Sequence, residues 1–464
     1  MIFNIHLKNP NSIALKDDSG LTLTYGELAN QIYESNQLLQ KRSVVIVLAS
    51  NDVSTTSFIL SCLENKWIPL VLNEDIDESL LNEYLKMYKP NAIFLDTNKF
   101  TSFNFDYYNQ ISWINKQIYF VGKQIYETFD QLSFLLPTSG STGSPKLVRH
   151  SYDNLNFSAL NVSSLFNLKT SDVGLAILPI YYTMGFSVIS SHIFAGSTVL
   201  LSKYALTERG FWDVLKNEKI TTLTGVPYTF EVLFKMRFER VKIPSLRIIS
   251  QGGGKLSDQL WDKLILYSQE NNIEFIPTYG QTEGTARMSY LKSEFVKSKK
   301  GSIGKAIPNG VFEVWDENDN KIESMNAEGQ LVYKGGNVTL GYAESLKDLK
   351  LGDDRLGVLP TGDIVKRDSD GFYFIVGRSK RFLKIFGLRI SLDEVELLIK
   401  NNFNIDCYCT GSDDLLTVYL DKENFELEIK NWLSQKINLF HQVIEIKYIQ
   451  SIPRSASGKV IFRE

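Results

Sequence analysis

The chain has little cysteine, little histidine and no dominant charge. Only Cys62, Cys407 and Cys409 occur in 464 residues. An odd, sparse set without framework spacing excludes a disulfide-stapled secreted scaffold and points to a reducing compartment. Cys407-Tyr-Cys409 has the shape of half a metal site, but no matching Cys/His pair occurs elsewhere, so two buried strand cysteines are expected. The 50 basic and 53 acidic residues leave a net charge of −3. That balance gives no electrostatic footprint for nucleic acid or for an anionic membrane surface. The start, Met1-Ile-Phe-Asn-Ile-His6, has neither a basic n-region nor a long apolar stretch, so no secretory signal is read. The expectation is a cytoplasmic protein.

Charge is missing altogether between Val173 and Ser202, where no Asp, Glu, Lys or Arg occurs. A stretch of that length suggests a membrane span. Yet Gly174, Pro179, Gly185, Gly196, His192 and many Ser/Thr punctuate it as strand, loop and helix. A buried segment of a large α/β core fits better, and no membrane span is expected.

What is present is apolar material, 43% hydrophobic and 12% aromatic. It is enough for large packed interiors and too much for disorder. Length alone suggests about two to four units. Thr24-Tyr-Gly-Glu27 fits a capping box and predicts a helix through about Leu39. Strands are predicted at 43–49, 67–72, 91–95, 174–178, 198–201, 221–225 and 246–250. They alternate with helical stretches, which implies mostly parallel sheets covered by helices. From about Gly301 the texture changes to short strands with Gly/Asn/Asp turns, at 311–316, 329–334 and 371–376, as in a smaller β-rich subdomain. After Gly377-Arg378 comes a compact α+β tail.

Leu136-Pro-Thr-Ser-Gly-Ser-Thr-Gly-Ser-Pro-Lys146 reads as a loop between two short strands. It offers closely spaced backbone N–H groups, several small hydroxyls and one cation, the chemistry that cradles a polyphosphate. It is not a Walker A loop, since Pro145 breaks that pattern and Leu147 replaces the Mg²⁺-binding hydroxyl residue. Taken alone the segment would also serve as a flexible linker. Four further segments follow: Tyr279-Gly-Gln-Thr-Glu283, Pro360-Thr-Gly-Asp363, Gly377-Arg-Ser-Lys-Arg-Phe-Leu-Lys-Ile-Phe-Gly-Leu-Arg-Ile390, and Pro453-Arg-Ser-Ala-Ser-Gly-Lys459. In this order, and with Leu23-Thr-Tyr-Gly-Glu-Leu28 near the start, they resemble the adenylate-forming superfamily. That family includes acyl- and aryl-CoA synthetases, carrier-protein-loading adenylation domains and luciferases. The resemblance covers nearly the whole chain.

The resemblance implies an α/β fold with a large N-terminal domain at 1–377, including the β-rich subdomain. A small mobile α+β domain at 378–464 would carry the catalytic lysine. It implies ATP-dependent activation of a carboxylic acid as acyl-AMP with release of pyrophosphate, then transfer to a thiol. ATP and Mg²⁺ are the implied cofactors, and CoA or another phosphopantetheine the acceptor. Thr138, Ser139, Ser141, Thr142 and the Gly140 and Gly143 amides would hold the β- and γ-phosphates, with Lys146 supplying charge. In Tyr279-Gly280-Gln-Thr-Glu283 the ring would stack on adenine, Thr282 would contact the α-phosphate, and Glu283 would ligate Mg²⁺. Asp363 and Arg378 would hold the ribose. Gly252 and Gly253 would let backbone approach the adenine and acyl group, though a plain turn reads equally well there. Lys459 would bridge the substrate carboxylate and the α-phosphate. Lys380 would be the hinge, where many relatives have Asp, and the loop from Lys384 through Gly387 to Arg389 would enter the site for thiol attack.

Tyr182 stands where many acyl-CoA synthetases have histidine. No carboxylate occurs between Asp172 and Glu208, so an α-amino acid, which needs an ammonium partner, is disfavoured. Tyr182, Met184, Gly185 and Phe186 suggest an apolar acid of modest size. Two alternatives stand beside an acyl-CoA synthetase. One is an enzyme loading an acyl carrier protein. The other is a non-catalytic nucleotide-binding regulator, against which the joint presence of Lys146, Glu283, Asp363 and Lys459 argues.

Overall fold

The computed structural model describes residues 2–102, 105–137, 146–378, 381–385, 388–412, 415–437, 439–454 and 460, without the side chains at 100–102, 384, 388 and 389. Its frame is two large mixed sheets. The nine-stranded sheet has a parallel centre made, in spatial order, of Ile13–Asp17, Thr198–Leu201, Val173–Ala176, Thr222–Gly225, Ile248–Gln251 and Glu274–Tyr279. Antiparallel strands Thr22–Thr24 and Ser289–Tyr290 with Lys305–Ala306 close its two sides. The eight-stranded sheet runs Gly341–Ala343, Leu147–Ser151, Leu132–Pro137, Ile68–Asn73, Val44–Ala49, Ala92–Leu95, Lys116–Phe120, Asn109–Trp113.

Each parallel strand is a short β-branched or leucine-rich run, as expected where both faces are covered. One apolar core joins the sheets, since Leu15, Val199 and Leu201 of one share it with Val45, Val47 and Phe134 of the other. The helix Val53–Glu64 lies in that core, and every residue from Val53 to Leu63 is buried. It starts at Asp52, whose side chain accepts from the Thr55 amide. Burial would raise the Asp52 carboxyl, but Lys116 and Lys203 hold it well below the usual range.

The uncharged stretch from Val173 resolves into the strand Val173–Ala176, the helix Thr183–Ala195 and the strand Thr198–Leu201. Among the described residues no helix is long and apolar enough to cross a membrane. The capping box at Thr24 and Glu27 forms, but its helix ends at Ser35 rather than near Leu39. Asn65 takes the Ile32 carbonyl and the Ser35 hydroxyl there, which ends the ladder.

The β-rich region is an antiparallel sheet of Val311–Trp315, Glu328–Lys334, Val358–Arg367 and Tyr373–Arg378. Its last strand starts two residues later than the sequence pattern suggests. Asp368 takes the amides of Asp370 and Phe372, and Gly371 at φ 76° completes a turn. The region is interleaved rather than separate, because Lys305–Ala306 and Gly341–Ala343 belong to the two large sheets. The C-terminal part has its own core, with Val395, Ile399, Val418, Ile429 and Leu433 fully or almost fully buried. It contains the hairpin Phe382–Ile385 and Leu388–Ser391, the helices Leu392–Phe403 and Glu426–Lys436, and the sheet Cys407–Ser412, Leu415–Leu420 and Ile444–Tyr448. Cys407 and Cys409 are buried free thiols on that sheet.

Two imidazoles are fully buried, and neither has an acidic hydrogen-bond partner among the described residues. His192 lies between the Val188 carbonyl, 2.8 Å away, and Thr222 Oγ1, 2.9 Å away. Burial lowers His192 to about 4 and His150 to about 3. The unfolded chain protonates each below about 6.5, whereas the folded chain stays neutral until those lower values. Stability therefore rises with pH across this window, by about 1.4 kcal/mol per pH unit for each ring. Glu64, which burial pushes up to about 7, acts in the opposite sense. His192→Gln is expected to reduce the rise in unfolding free energy between pH 5 and pH 6.5 by about 1.6 kcal/mol. Chemical denaturation at the two pH values checks this, and an unchanged slope would show that the ring titrates in the folded state as it does in the unfolded chain.

Candidate active site

Lys146 is the first described residue after the Gly/Ser/Thr segment, at the mouth of the strand Leu147–Ser151. That strand pairs antiparallel with Gly341–Ala343, Val148 opposite Tyr342. The register brings Lys146 Nζ to 4.0 Å from the Tyr342 ring centre and 2.9 Å from Glu344 Oε1. Arg355 lies 4.6 Å from the same ring centre. The Tyr342 hydroxyl donates to Glu283 Oε1 at 2.8 Å. Burial, with Glu283 adding to it, raises that phenol to about 12. Arg355 donates to Thr339 Oγ1 at 2.5 Å and the Thr339 amide donates to the Glu283 carbonyl at 3.0 Å. Two cations thus flank one aromatic ring beside one carboxylate, with one Glu283 oxygen bonded and the other turned to no described partner. Charge of this kind suits an anion carrying a hard cation.

Glu283 sits in the one-turn 3-10 helix Thr282–Gly284, which Gly280 precedes by two residues. A Cβ at Gly280 would lie 1.6 Å from the Ala286 carbonyl oxygen, so only glycine lets the chain double back here. The return is fixed by the Met288 amide donating to the Tyr279 carbonyl at 2.8 Å.

A second constellation lies on the β-rich sheet. Asp363 and Arg378 face each other in register, with Arg378 Nε 3.2 Å from Asp363 Oδ1. The Tyr279 hydroxyl donates to Asp363 Oδ2 at 2.5 Å. Burial pushes the Asp363 carboxyl up, against the opposing pull of Arg378 and Tyr279. Tyr279 is itself buried, its ring 6.3 Å from Phe312 in an edge-on contact. Arg378 is 61% exposed, so the pair opens to solvent on the arginine side.

The third wall is the start of the helix Thr183–Ala195. Tyr182 is its N-cap, Gly185 lies in its first turn, and Tyr182 and Met184 are half-buried. Asn51 fixes the approach by donating to the Leu178 carbonyl at 3.0 Å and accepting the Ile180 amide at 3.0 Å. A Cβ at Gly252 would lie 2.6 Å from Met184 Cε and 2.8 Å from Thr278 Oγ1, so Met184 rests on that glycine. Gly253 follows at φ 76°. Phe186 is packed in the core instead, stacked on Phe134 at 4.5 Å.

Thr138, Ser139, Gly140, Ser141, Thr142, Gly143, Lys380, Gly387 and Lys459 lie outside the described residues, as does the side chain of Lys384. Tyr342, Arg355 and Arg287 carry contacts that sequence reading did not single out. Tyr342 and Arg355 have no local signature, since only strand pairing brings them to Lys146. Arg287 had a faint one, a lone arginine followed by no acid until Glu294.

Residues 6–343 match the family described as AMP-binding enzyme. A 2-succinylbenzoate–CoA ligase of Staphylococcus epidermidis strain RP62A is 27% identical, covering 97% of this chain and 94% of its own length. One from Bacillus cereus strain ZK is 28% identical over 71% of this chain and 68% of its own. Among solved structures, o-succinylbenzoate CoA synthetase (MenE) of Bacillus subtilis with its acyl-adenylate intermediate superposes with a TM-score of 0.81. It is 20% identical and covers 98% of this chain and 95% of that one. ATP-bound MatB of Rhodopseudomonas palustris gives 0.79, also at 20% identity, covering 99% and 97%. These last two are likenesses of fold, and with the match over residues 6–343 the chain belongs to the AMP-binding enzyme family.

Proposed function

We propose that the chain activates a non-amino carboxylic acid as its acyl-AMP, releasing pyrophosphate, and passes the acyl group to coenzyme A. It is an ATP-dependent acid–thiol ligase of the acyl-CoA synthetase type, with ATP, Mg²⁺ and CoA as its small-molecule partners. The observation that carries the finer reading is the joining of Lys146 to Glu283 through Tyr342, with Arg355 alongside. A carboxylate and a triphosphate repel each other, so the site must neutralise charge where the α-phosphorus is attacked.

In this reading Lys146 and Arg355 meet the β- and γ-phosphates together with the segment 138–145. Thr282 contacts the α-phosphate. Glu283 is the hard oxygen ligand for Mg²⁺, which supplies charge neutralisation when bound and commonly takes only one or two carboxylates. Asp363, with Arg378, accepts the ribose hydroxyls. Tyr182, Met184, Gly185, Gly252 and Gly253 border the acyl group. Lys459 orients the acid against the α-phosphate. The chain divides at 377/378, and rotation about Lys380 exchanges Lys459 for the loop 384–389 when the thiol attacks. The relatives named 2-succinylbenzoate–CoA ligase make 2-succinylbenzoate the first acid to try. Dependence on ATP and CoA argues for a cytoplasmic enzyme.

Acid-dependent ATP–pyrophosphate exchange across a carboxylic-acid panel tests the reading. Pyrophosphate is expected as the product only when an acid is supplied, and ADP with phosphate as main products would overturn it. Thioester on a carrier protein but not on CoA would replace the acceptor. Free α-amino acids are expected to be the poorest substrates, because an ammonium buried without a counter-charge costs several kcal/mol.

Lys459→Ala is expected to lower acid-dependent exchange about 10²–10³-fold, or roughly 3–4 kcal/mol, with an unchanged melting temperature. Near wild-type exchange in that variant would remove Lys459 from the reaction. Tyr342→Phe deletes one hydrogen bond to the Glu283 carboxylate. A rise of about 5–10-fold in the KM for Mg·ATP is expected from a bond of about 1 kcal/mol, with little change in the KM for the acid.

A further inference from the structure

Arg287 is fully buried, at 1% exposure, in the chain that doubles back after Glu283. Its NH1 donates to Ser187 Oγ at 2.5 Å and its NH2 to Thr224 Oγ1 at 3.3 Å. Its Nε has no partner, and no carboxylate among the described residues pairs with it. A guanidinium has five N–H donors, so most of its capacity is unused. Burial draws Arg287 down to about 10.

Arg149 shows what a structural buried arginine looks like in this same protein. It is equally buried, yet donates to the carbonyls of Leu340, Tyr342, Leu351 and Gly352 and pairs with Asp354. Arg287 has only two hydroxyls and the Phe166 ring, 5.3 Å from its Cζ. A buried cation left in that condition destabilises the fold unless something else compensates it.

Its surroundings are unsatisfied in the same way. Thr224 is in register with Ser250 on the adjacent parallel strand, so both side chains lie on one face. That face meets the helix Thr183–Ala195, since Thr222 two residues earlier bonds His192 of that helix. Ser250 Oγ and Thr183 Oγ1 are also buried without partners. Thr183 and Ser187 are one helical turn apart, and Met184 lies on the same side, one turn before Ser187. Unpartnered buried polar atoms therefore occur on Arg287 itself, on the strand face that carries Thr224, and in the first turn of the helix that carries Met184. Met184 itself is half-buried and rests against Gly252 at the acyl wall of the proposed site. A methionine is an adaptable plug, unbranched and easily turned aside.

We propose that Arg287 is the recognition site for a second anionic group on the substrate acid, so that the preferred substrate class is a dicarboxylic acid. This inference rests on the acid-activation reading above. The distal carboxylate enters past Met184 and accepts from the free N–H groups of Arg287, with Ser250 and Thr183 able to add hydroxyl donors. The proximal carboxylate is left at the nucleotide. The same cation excludes an ammonium, which adds a repulsive reason for poor amino-acid activation.

The test uses the full chain and ATP–pyrophosphate exchange. Matched pairs of acids are compared across several sizes, including 2-succinylbenzoate, each diacid against the analogue with hydrogen or carboxamide in place of the distal carboxylate. A diacid preference of about 10²-fold or more in kcat/KM is expected, since a site built to bond a group rejects analogues lacking it. In Arg287→Gln the ratio is expected to fall to within about threefold of one. Arg287→Lys keeps the charge but loses the planar fork, and should lie between the two. It also carries the test if the glutamine variant does not fold. Robust exchange with monoacids and no diacid preference would overturn the inference and leave acid activation standing. A diacid preference that survives both substitutions would overturn it as well. Exchange with none of the acids would overturn the activation reading, and the inference with it.

Discussion

The Arg149 guanidinium is the interaction on which the arrangement of the site depends. It projects from the strand Leu147–Ser151 and gathers the carbonyls of Leu340, Tyr342, Leu351 and Gly352 together with the Asp354 carboxylate. The backbone on both sides of Gly341–Ala343 is thereby tied to the strand that opens at Lys146. Without that clamp the short strand Gly341–Ala343 would have only its ladder to hold it at the end of an eight-stranded sheet. Tyr342 would then lose its place between Lys146 and Glu283, and Arg355, next in sequence to Asp354, would lose its own. A buried charge satisfied on every side holds together residues distant in sequence, and the polar site follows from it.

The remaining walls come from the parallel centre of the nine-stranded sheet. Val173–Ala176 leads into the loop fixed by Asn51 and then Tyr182. Ile248–Gln251 leads into Gly252, and Glu274–Tyr279 into Gly280 and Glu283. Each follows the carboxyl end of a strand, where open α/β sheets place their ligands. The reason is geometric. Parallel strands end on the same edge, so loops far apart in sequence converge there without a dedicated motif. Asp363 and Arg378 reach the same neighbourhood from the β-rich sheet through the Tyr279 hydroxyl.

Local pattern was enough for most of the frame. The strand Thr198–Leu201 and the capping box at Thr24 were legible because β-branched runs and the S/T-x-x-E spacing act over a few residues. The end of the helix at Ser35 was not, because it depends on Asn65, thirty residues away in contact and invisible locally. The late start of Tyr373–Arg378 depends on how the Asp368 carboxylate closes its turn. Lys146, Glu283, Asp363 and Arg378 were singled out because they belong to ordered motifs. Tyr342, Arg355 and Arg149 were not, since their chemistry is made by one antiparallel pairing between segments about two hundred residues apart. Phe186 shows the opposite error, where an aromatic beside a motif was read as pocket and is core.

The placement of charge also bears on which end of an acid reacts. Lys146 and Arg355 stand at the Glu283 end, and Arg287 is buried and bonded to Ser187, one helical turn after Met184. If a distal carboxylate occupies Arg287 as proposed, the single anionic group of a monocarboxylate is drawn both to Arg287 and to the nucleotide end, and held at Arg287 it would not react. A diacid would resolve that competition, because one carboxylate at Arg287 directs the other toward the α-phosphate. Binding free energy at the distal end would then align the reacting end, which is how contacts remote from the chemistry raise its rate.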